Sequence, residues 1–206
     1  DCIAAQSRGL LLWRSTTQWL GGMGIIMLSM MVLSRILGGG MSLARAELTG
    51  PSLSRLRPKL AQTARALWGM YLLLTIIEGA LLYGLTNMNL FESVNHALTT
   101  MPTGGFSTTD ASIGGFDSWV VETIIIAFML LAGVNFTLLY FAFQGHLRKV
   151  WRDEEFRTYL VYMLTATLAI ALILYLSGTK DAFRSSLFQV VSIGTSTGFG
   201  TQDYIH

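Results

Sequence analysis

Charge is scarce in this chain. Only 13% of its 206 residues are Asp, Glu, Lys or Arg, against about 25% in an ordinary soluble domain. That leaves too little polar surface to face water on every side. Cysteine is nearly missing too: the single Cys2 excludes an intramolecular disulfide and reads as a small buried hydrophobe. The formal net charge of +2 is too small to mark a nucleic-acid binder. There is no HExxH and no pair of carboxylates within an apolar run, which leaves a membrane-embedded enzyme without a catalytic set. His96 has no second ligand at useful spacing for a metal and is expected to satisfy a local backbone group. The opening residues show no initiating Met, only a short apolar run and no small-residue cleavage site, which does not fit a secretory signal.

What is present is apolar sequence in long blocks. Hydrophobic residues make up 52% of the chain, with a mean hydropathy of +0.52. Residues 18–37, 66–85, 119–143 and 159–176 are each long enough to cross a hydrocarbon core of about 30 Å, which takes roughly 20 helical residues. Lipid offers the backbone no water, so helix is the expected state of all four. The connections sort by charge. Residues 41–65 carry Arg45, Arg55, Arg57, Lys59 and Arg65 against Glu47, and residues 144–158 carry Arg148, Lys149, Arg152 and Arg157. Residues 86–118 contain no Lys or Arg. The positive-inside rule places the two basic loops in the cytoplasm and residues 86–118 outside, and the four spans then alternate consistently.

Several residues in or beside these runs have bland expected roles. Trp13, Trp19 and Trp119 suit interfacial anchors. Glu78 is an expensive intramembrane charge, expected to bond a neighbouring loop. Asn135 is expected to bond between helices, and Glu122 to be solvated near the outer boundary. Gly21, Gly22 and Gly24 suit close helix packing, and Gly38-Gly39-Gly40 the end of the first span.

Two outer segments are too long for plain loops. Residues 89–110 (NLFESVNHALTTMPTGGFSTTD) and 181–203 (DAFRSSLFQVVSIGTSTGFGTQD) each open with an amphipathic stretch of about ten residues, half a membrane thick, which suits a re-entrant element. Each then breaks into Gly, Thr and Ser. They superpose with an offset of 93: Ser93 on Ser186, Gly105 on Gly198, Phe106 on Phe199, Thr108 on Thr201 and Asp110 on Asp203. The same offset lays the second span on the fourth. The period is therefore a unit of spanning helix, half helix, Gly-rich turn and spanning helix.

Non-helical backbone at membrane depth survives only where protein buries it or a wet cavity adjoins it. Pro102 cannot continue a helix. Thr103-Gly104-Gly105-Phe106 can turn back outward because glycine accepts backbone angles that other residues avoid. Gly194, Gly198 and Gly200 would do the same in the second copy. Each returning strand would present carbonyl oxygens able to replace the hydration shell of a monovalent cation. The half helix aims its negative end at the membrane centre. Neither turn holds the carboxylates a divalent ion would want. The other reading of Thr103, Ser196 and Thr197 is hydroxyl capping of a half-helix end.

The runs WRSTTQWLGGMGIIML (13–28), NHALTTMPTGGFSTTD (95–110), WRDEEFR (151–157) and LFQVVSIGTSTGFGTQDY (187–204) resemble the TrkH branch of the Trk/Ktr/HKT potassium transporters over nearly the whole chain. The resemblance implies an all-α integral membrane protein of repeated helix–pore loop–helix units, pseudo-fourfold around one pore. Residues 1–40 would close a first unit, 41–65 form a cytoplasmic loop, and 66–143 make a complete unit. Residues 144–158 would form a second loop, and 159–206 the start of a further unit. The chain would thus be a piece of a longer protein, and two pore loops of four would not conduct alone.

The family's filter resembles a degenerate Thr-x-Gly-Tyr-Gly. Its places fall on Thr103, Gly104, Gly105, Phe106 and Ser107, and on Ser196, Thr197, Gly198, Phe199 and Gly200. The resemblance implies K⁺ at Thr103, Gly104, Ser196 and Thr197. Phe106 and Phe199 are expected to pack behind the filter. Glycine at both filter positions favours K⁺; Na⁺ or mixed conduction is the variant, and a non-conducting scaffold the distant alternative. The family further implies a multi-pass cell (inner) membrane protein, no cofactor, a homodimer, and a cytoplasmic ring of nucleotide-binding regulatory subunits. The basic residues 148–157 suit that ring or a plain solvated loop.

Overall fold

The computed structural model describes residues 3–25 and 56–202, the side chains of residue 4 and residues 56–63 aside. The distal part of the first expected span, the Gly38–Gly40 stop and most of the first basic loop lie outside these residues.

Two short 3₁₀ turns (Ile3–Ala5 and Ser112–Phe116) and eight helices make up the described secondary structure, with no strand among the described residues. Helix α1 covers residues 8–25. It is followed by α2 (Leu56–Leu85), α3 (Leu90–Thr100), α4 (Trp119–Ala132), α5 (Phe136–Phe143), α6 (Leu147–Arg152), α7 (Glu154–Leu176) and α8 (Ala182–Gly194). The stretch Ala64–Leu85 and the whole of Glu154–Leu176 are long and apolar enough to cross a membrane.

Local chemistry starts these helices where they start. Asn89 opens α3 with a capping box: its side chain accepts from the Glu92 amide while Glu92 accepts from the Asn89 amide, which satisfies donors that would be orphaned otherwise. Asp153 caps α7 by accepting from the Phe156 amide at 3.0 Å, and Glu154 and Glu155 complement the positive end of the helix dipole. Both spanning helices begin inside segments expected to be loop: α2 at Leu56 and α7 at Glu154, because charged residues can extend a capped helix beyond the lipid. The second loop also folds into α6, with Arg148, Lys149 and Arg152 exposed.

The third expected span is not one helix. It breaks after Ala132, and α4 and α5 meet at 105°. Two residues account for the break. Gly133 leaves room for the Tyr159 hydroxyl and the Thr195 methyl, which a Cβ there would meet at 2.6 and 3.0 Å. Asn135 lends its side-chain oxygen to the Thr137 amide at 3.0 Å and starts α5 afresh. Asn135 is therefore a cap and not the expected helix-to-helix bond.

Helices α3 and α8 stand inside the assembly. Tyr71, Leu74, Leu82, Ile113, Ile125, Met129, Phe188 and Phe199 form the core around them. Helix α7, in contrast, exposes Val161, Tyr162, Leu164, Leu168, Leu172 and Ile173. An apolar surface of that extent is tolerable against lipid or another protein surface, not against water.

Candidate functional site

Near its end, each half helix carries a hydroxyl residue that organises the turn after it. At the end of α3 the Thr99 carbonyl accepts from the amides of Gly104 (2.9 Å) and Gly105 (3.2 Å), and the Thr100 carbonyl from that of Thr103 (2.8 Å). The Thr99 hydroxyl donates to the Phe106 carbonyl at 2.8 Å. At the end of α8 the Ser192 carbonyl accepts from Thr197 (2.8 Å) and Gly198 (3.2 Å), and the Ile193 carbonyl from Ser196 (2.9 Å). The Ser192 hydroxyl donates to Phe199 at 2.7 Å. The two hairpins thus repeat one hydrogen-bond pattern, residue for residue.

This pattern fixes where the carbonyls point. A trans peptide directs its N–H and C=O oppositely, and no cis peptide is found among the described residues. The amides of Gly104 and Gly105 face the helix, so the carbonyls of Thr103 and Gly104 face away from it. The amides of Thr197 and Gly198 likewise send the carbonyls of Ser196 and Thr197 outward. Consecutive carbonyls on one side need backbone that alternates in hand, as in the nests that gather consecutive amides. Positive φ occurs at Thr103 (54°) and Gly105 (68°), and again at Ser196 (57°) and Gly198 (83°). Thr103 and Ser196 therefore share the hinge role expected of glycine alone, while Gly194 is simply the last residue of α8 and Gly104 and Gly200 keep ordinary angles.

The two rows meet. A Cβ on Gly105 would overlap the Thr197 carbonyl oxygen, with the Gly198 carbonyl carbon 3.0 Å away. The expected filter positions Thr103, Gly104, Gly105, Ser196, Thr197 and Gly198 are thus brought together. Phe106 and Phe199 play a different part, since their carbonyls are turned back onto the half helices. Phe199 is buried and lies 5.8 Å from the His96 ring, whereas Phe106 remains 38% exposed. The hydroxyls of Thr103 and Ser196 fold onto the carbonyls just before them, at 2.7 Å, and do not cap the helix end. Thr195 takes that role, bonding the Val191 carbonyl at 2.8 Å and the Thr197 hydroxyl at 2.7 Å.

Neighbouring elements brace the hairpins. His96 Nδ1 donates to the Glu92 carbonyl at 2.8 Å, as expected, and its Nε2 lies 3.0 Å from the Ser107 hydroxyl. A carbonyl can only accept, so the proton sits on Nδ1 and Ser107 donates to Nε2. Glu122 is not solvated: 4% exposed, it grips Arg184 of α8 through two bonds of 2.7 and 2.8 Å. Trp19 is tied into the protein. Its indole N–H donates to Thr75 at 3.0 Å and its ring packs on Tyr71. Trp13 and Trp119 stay exposed. Of Gly21, Gly22 and Gly24, only Gly22 is tight, against Pro102 and the Tyr71 hydroxyl. Glu78 is fully buried behind α3, and neither carboxylate oxygen finds the expected hydrogen bond among the described residues.

The bracing residues Arg14, Thr99, Ser112, Gly114 and Ser192 escaped the sequence reading. The 93-residue offset pairs Thr99 with Ser192, and that coincidence of hydroxyls could have found two of them.

Half helices that stop within the assembly, followed by hairpins with outward carbonyls and flanked by spanning helices, define a membrane protein of the re-entrant pore-loop class. The family model described as TrkH, cation transport protein, matches residues 2–206, and the chain belongs to that family. It is 40% identical over 205 residues to the Trk system potassium uptake protein TrkH of Vibrio parahaemolyticus, covering 96% of this chain and 42% of that protein. To the TrkH of Escherichia coli K12 it is 41% identical over 198 residues, covering 93% and 41%. The crystal structure of the potassium transporter TrkH from Vibrio parahaemolyticus superposes with a TM-score of 0.82 at 37% identity, over 97% of this chain and 41% of that one. The chain spans about two-fifths of the length of the curated relatives it matches.

Proposed function

We propose that this chain supplies two of the pore loops through which K⁺ crosses the cell membrane, as part of a Trk-type potassium uptake protein. One observation carries the reading. Two hairpins share a hydrogen-bond pattern that sends the carbonyls of Thr103, Gly104, Ser196 and Thr197 away from their half helices, and the hairpins meet at Gly105 and Thr197. These oxygens stand in for water around a monovalent ion. Gly105 and Gly198 set the backbone, while Phe106 and Phe199 tie the turn to the half helix. The chemistry is passage down an electrochemical gradient, with no bond made or broken and no cofactor. Among the described residues no group of three or more His, Cys, Asp or Glu side chains could hold a metal. Glycine at both filter places favours K⁺ over Na⁺.

The basic helix α6 and the start of α7, with Arg148, Lys149, Arg152 and Arg157 exposed, are the proposed cytoplasmic face. They are positioned to meet a ring of nucleotide-binding regulatory subunits, and the assembly is a homodimer. The test is K⁺ uptake by the full-length gene product in cells lacking their own K⁺ transport. Growth at low external K⁺ is expected from the parent. Gly105→Ala is expected to lose K⁺ over Na⁺ preference by at least about tenfold, equivalent to about 1.4 kcal/mol. Gly198→Ala, with nothing within 4 Å of its new Cβ, should lose less, through its positive φ alone. No rescue by a parent protein present in the membrane defeats the proposal. A Gly105→Ala protein with lower abundance but unchanged preference favours a scaffold.

A further inference from the structure

Arg14 stands on α1, outside the unit whose hairpin it touches. Its Nη2 donates to the Ser107 carbonyl at 2.8 Å, and its guanidinium carbon lies 4.5 Å from the centre of the Phe106 ring. Its Nε is buried with no hydrogen-bond partner, and no carboxylate lies within ion-pair distance of it, among the described residues. A permanent cation without a counter-anion is an odd neighbour for a cation path. Its charge is met instead by a carbonyl and the face of an aromatic ring.

The residue it holds is the outer end of the first row. Ser107 is pinned three ways: carbonyl by Arg14, hydroxyl by His96, and the same hydroxyl by the Thr109 amide at 3.2 Å. The matching residue of the second hairpin, Gly200, is held differently but from the same side. Its carbonyl accepts from the Gly114 amide and its amide donates to the Ser112 hydroxyl, both at 3.1 Å. Ser112 and Gly114 belong to the unit before it. In each hairpin, the last filter carbonyl is thus tethered by the preceding unit.

We propose that Arg14 is a specificity-determining positioning residue: from the preceding unit it clamps Ser107 and Phe106, and so holds the Thr103 and Gly104 carbonyls at the spacing that prefers K⁺. The proposal rests on the filter reading above. Selectivity requires that the oxygens not close on a smaller ion, and a hairpin without regular secondary structure relies on its ends for that stiffness. Lysine would keep the charge and one donor but lose the planar stacking that arginine provides.

The test measures the Na⁺ concentration that halves K⁺ uptake by the full-length gene product, scaled to protein in the membrane. Arg14→Gln is expected to lower that concentration about tenfold and Arg14→Lys about threefold. Phe106→Leu, which removes only the ring, should fall between parent and Arg14→Gln. Inhibition within twofold of the parent for every variant that reaches the membrane overturns the proposal, because a merely structural arginine changes abundance and not preference. If Arg14→Gln does not reach the membrane, Arg14→Lys and Phe106→Leu decide by the same criterion. Gly105→Ala runs alongside. If it loses preference while the Arg14 and Phe106 variants keep it, only the role of Arg14 fails. A parent without preference for K⁺ sinks the filter reading and this inference with it.

Discussion

Thr99 shows how much one side chain can decide in a hairpin of this kind. Its carbonyl takes two amides, and its hydroxyl reaches seven residues ahead to the Phe106 carbonyl. Valine has nearly the same shape but cannot donate. Thr99→Val should therefore leave the Phe106 carbonyl without that partner, a cost of about 1–3 kcal/mol, and free the carbonyl to turn toward the proposed ion path. The expected result is a lower unfolding temperature of the purified full-length gene product and a narrowed preference between K⁺ and Rb⁺. An unchanged preference would mean that the hydroxyl serves packing only. Thr103 and Ser196 carry a related lesson. Both take a positive φ that β-carbons resist, and they hold it because the amides on either side are spoken for by the half helix.

Elements are joined across units as well as within them. Helix α4 closes one unit and grips the half helix of the next through Glu122 and Arg184, side chains that are 5% and 29% exposed. A carboxylate in that setting could not have stayed unpaired cheaply. Glu122→Gln is expected to destabilise the protein by roughly 1–3 kcal/mol, in line with loss of charged hydrogen bonds. Paired with Arg184→Leu in a double-mutant cycle, it should show a coupling of the same sign. Unfolding monitored by tryptophan fluorescence would read both, and additive effects would show that the pair carries no net stability. The broken third span belongs to this scale as well. The largely apolar run of 25 residues at 119–143 reads as one straight helix by hydropathy. Gly133 and Asn135 turn it through 105°, because a small residue admits the Tyr159 and Thr195 side chains and an amide caps the second half.

For the whole molecule the main expectation is orientation. The basic segment around α6 should face the cytoplasm, and the turn before α8 the outside, as the positive-inside rule requires. In a full-length gene product cleared of its native cysteines, Lys180→Cys should react with an impermeant maleimide on intact cells, while Arg148→Cys should react only after permeabilisation. The reverse pattern would invert the topology and place the hairpins' outer ends in the cytoplasm. Both positions are exposed, so burial does not confound the result.

Composition, the long apolar runs and the 93-residue repeat were enough to determine a helical membrane protein with two re-entrant hairpins. Those properties are written in which residues can meet lipid and in where glycine and proline interrupt helix. The places of the two turns were legible for the same reason, because backbone angles depend in part on local residue identity. What braces the hairpins was not legible. The reach of Arg14 over 93 residues to Ser107, the burial of Glu122 against Arg184 and the bond of Trp19 to Thr75 are facts of tertiary packing. Long polar side chains find their partners only once the helices carrying them have been brought side by side, and no local pattern encodes that meeting.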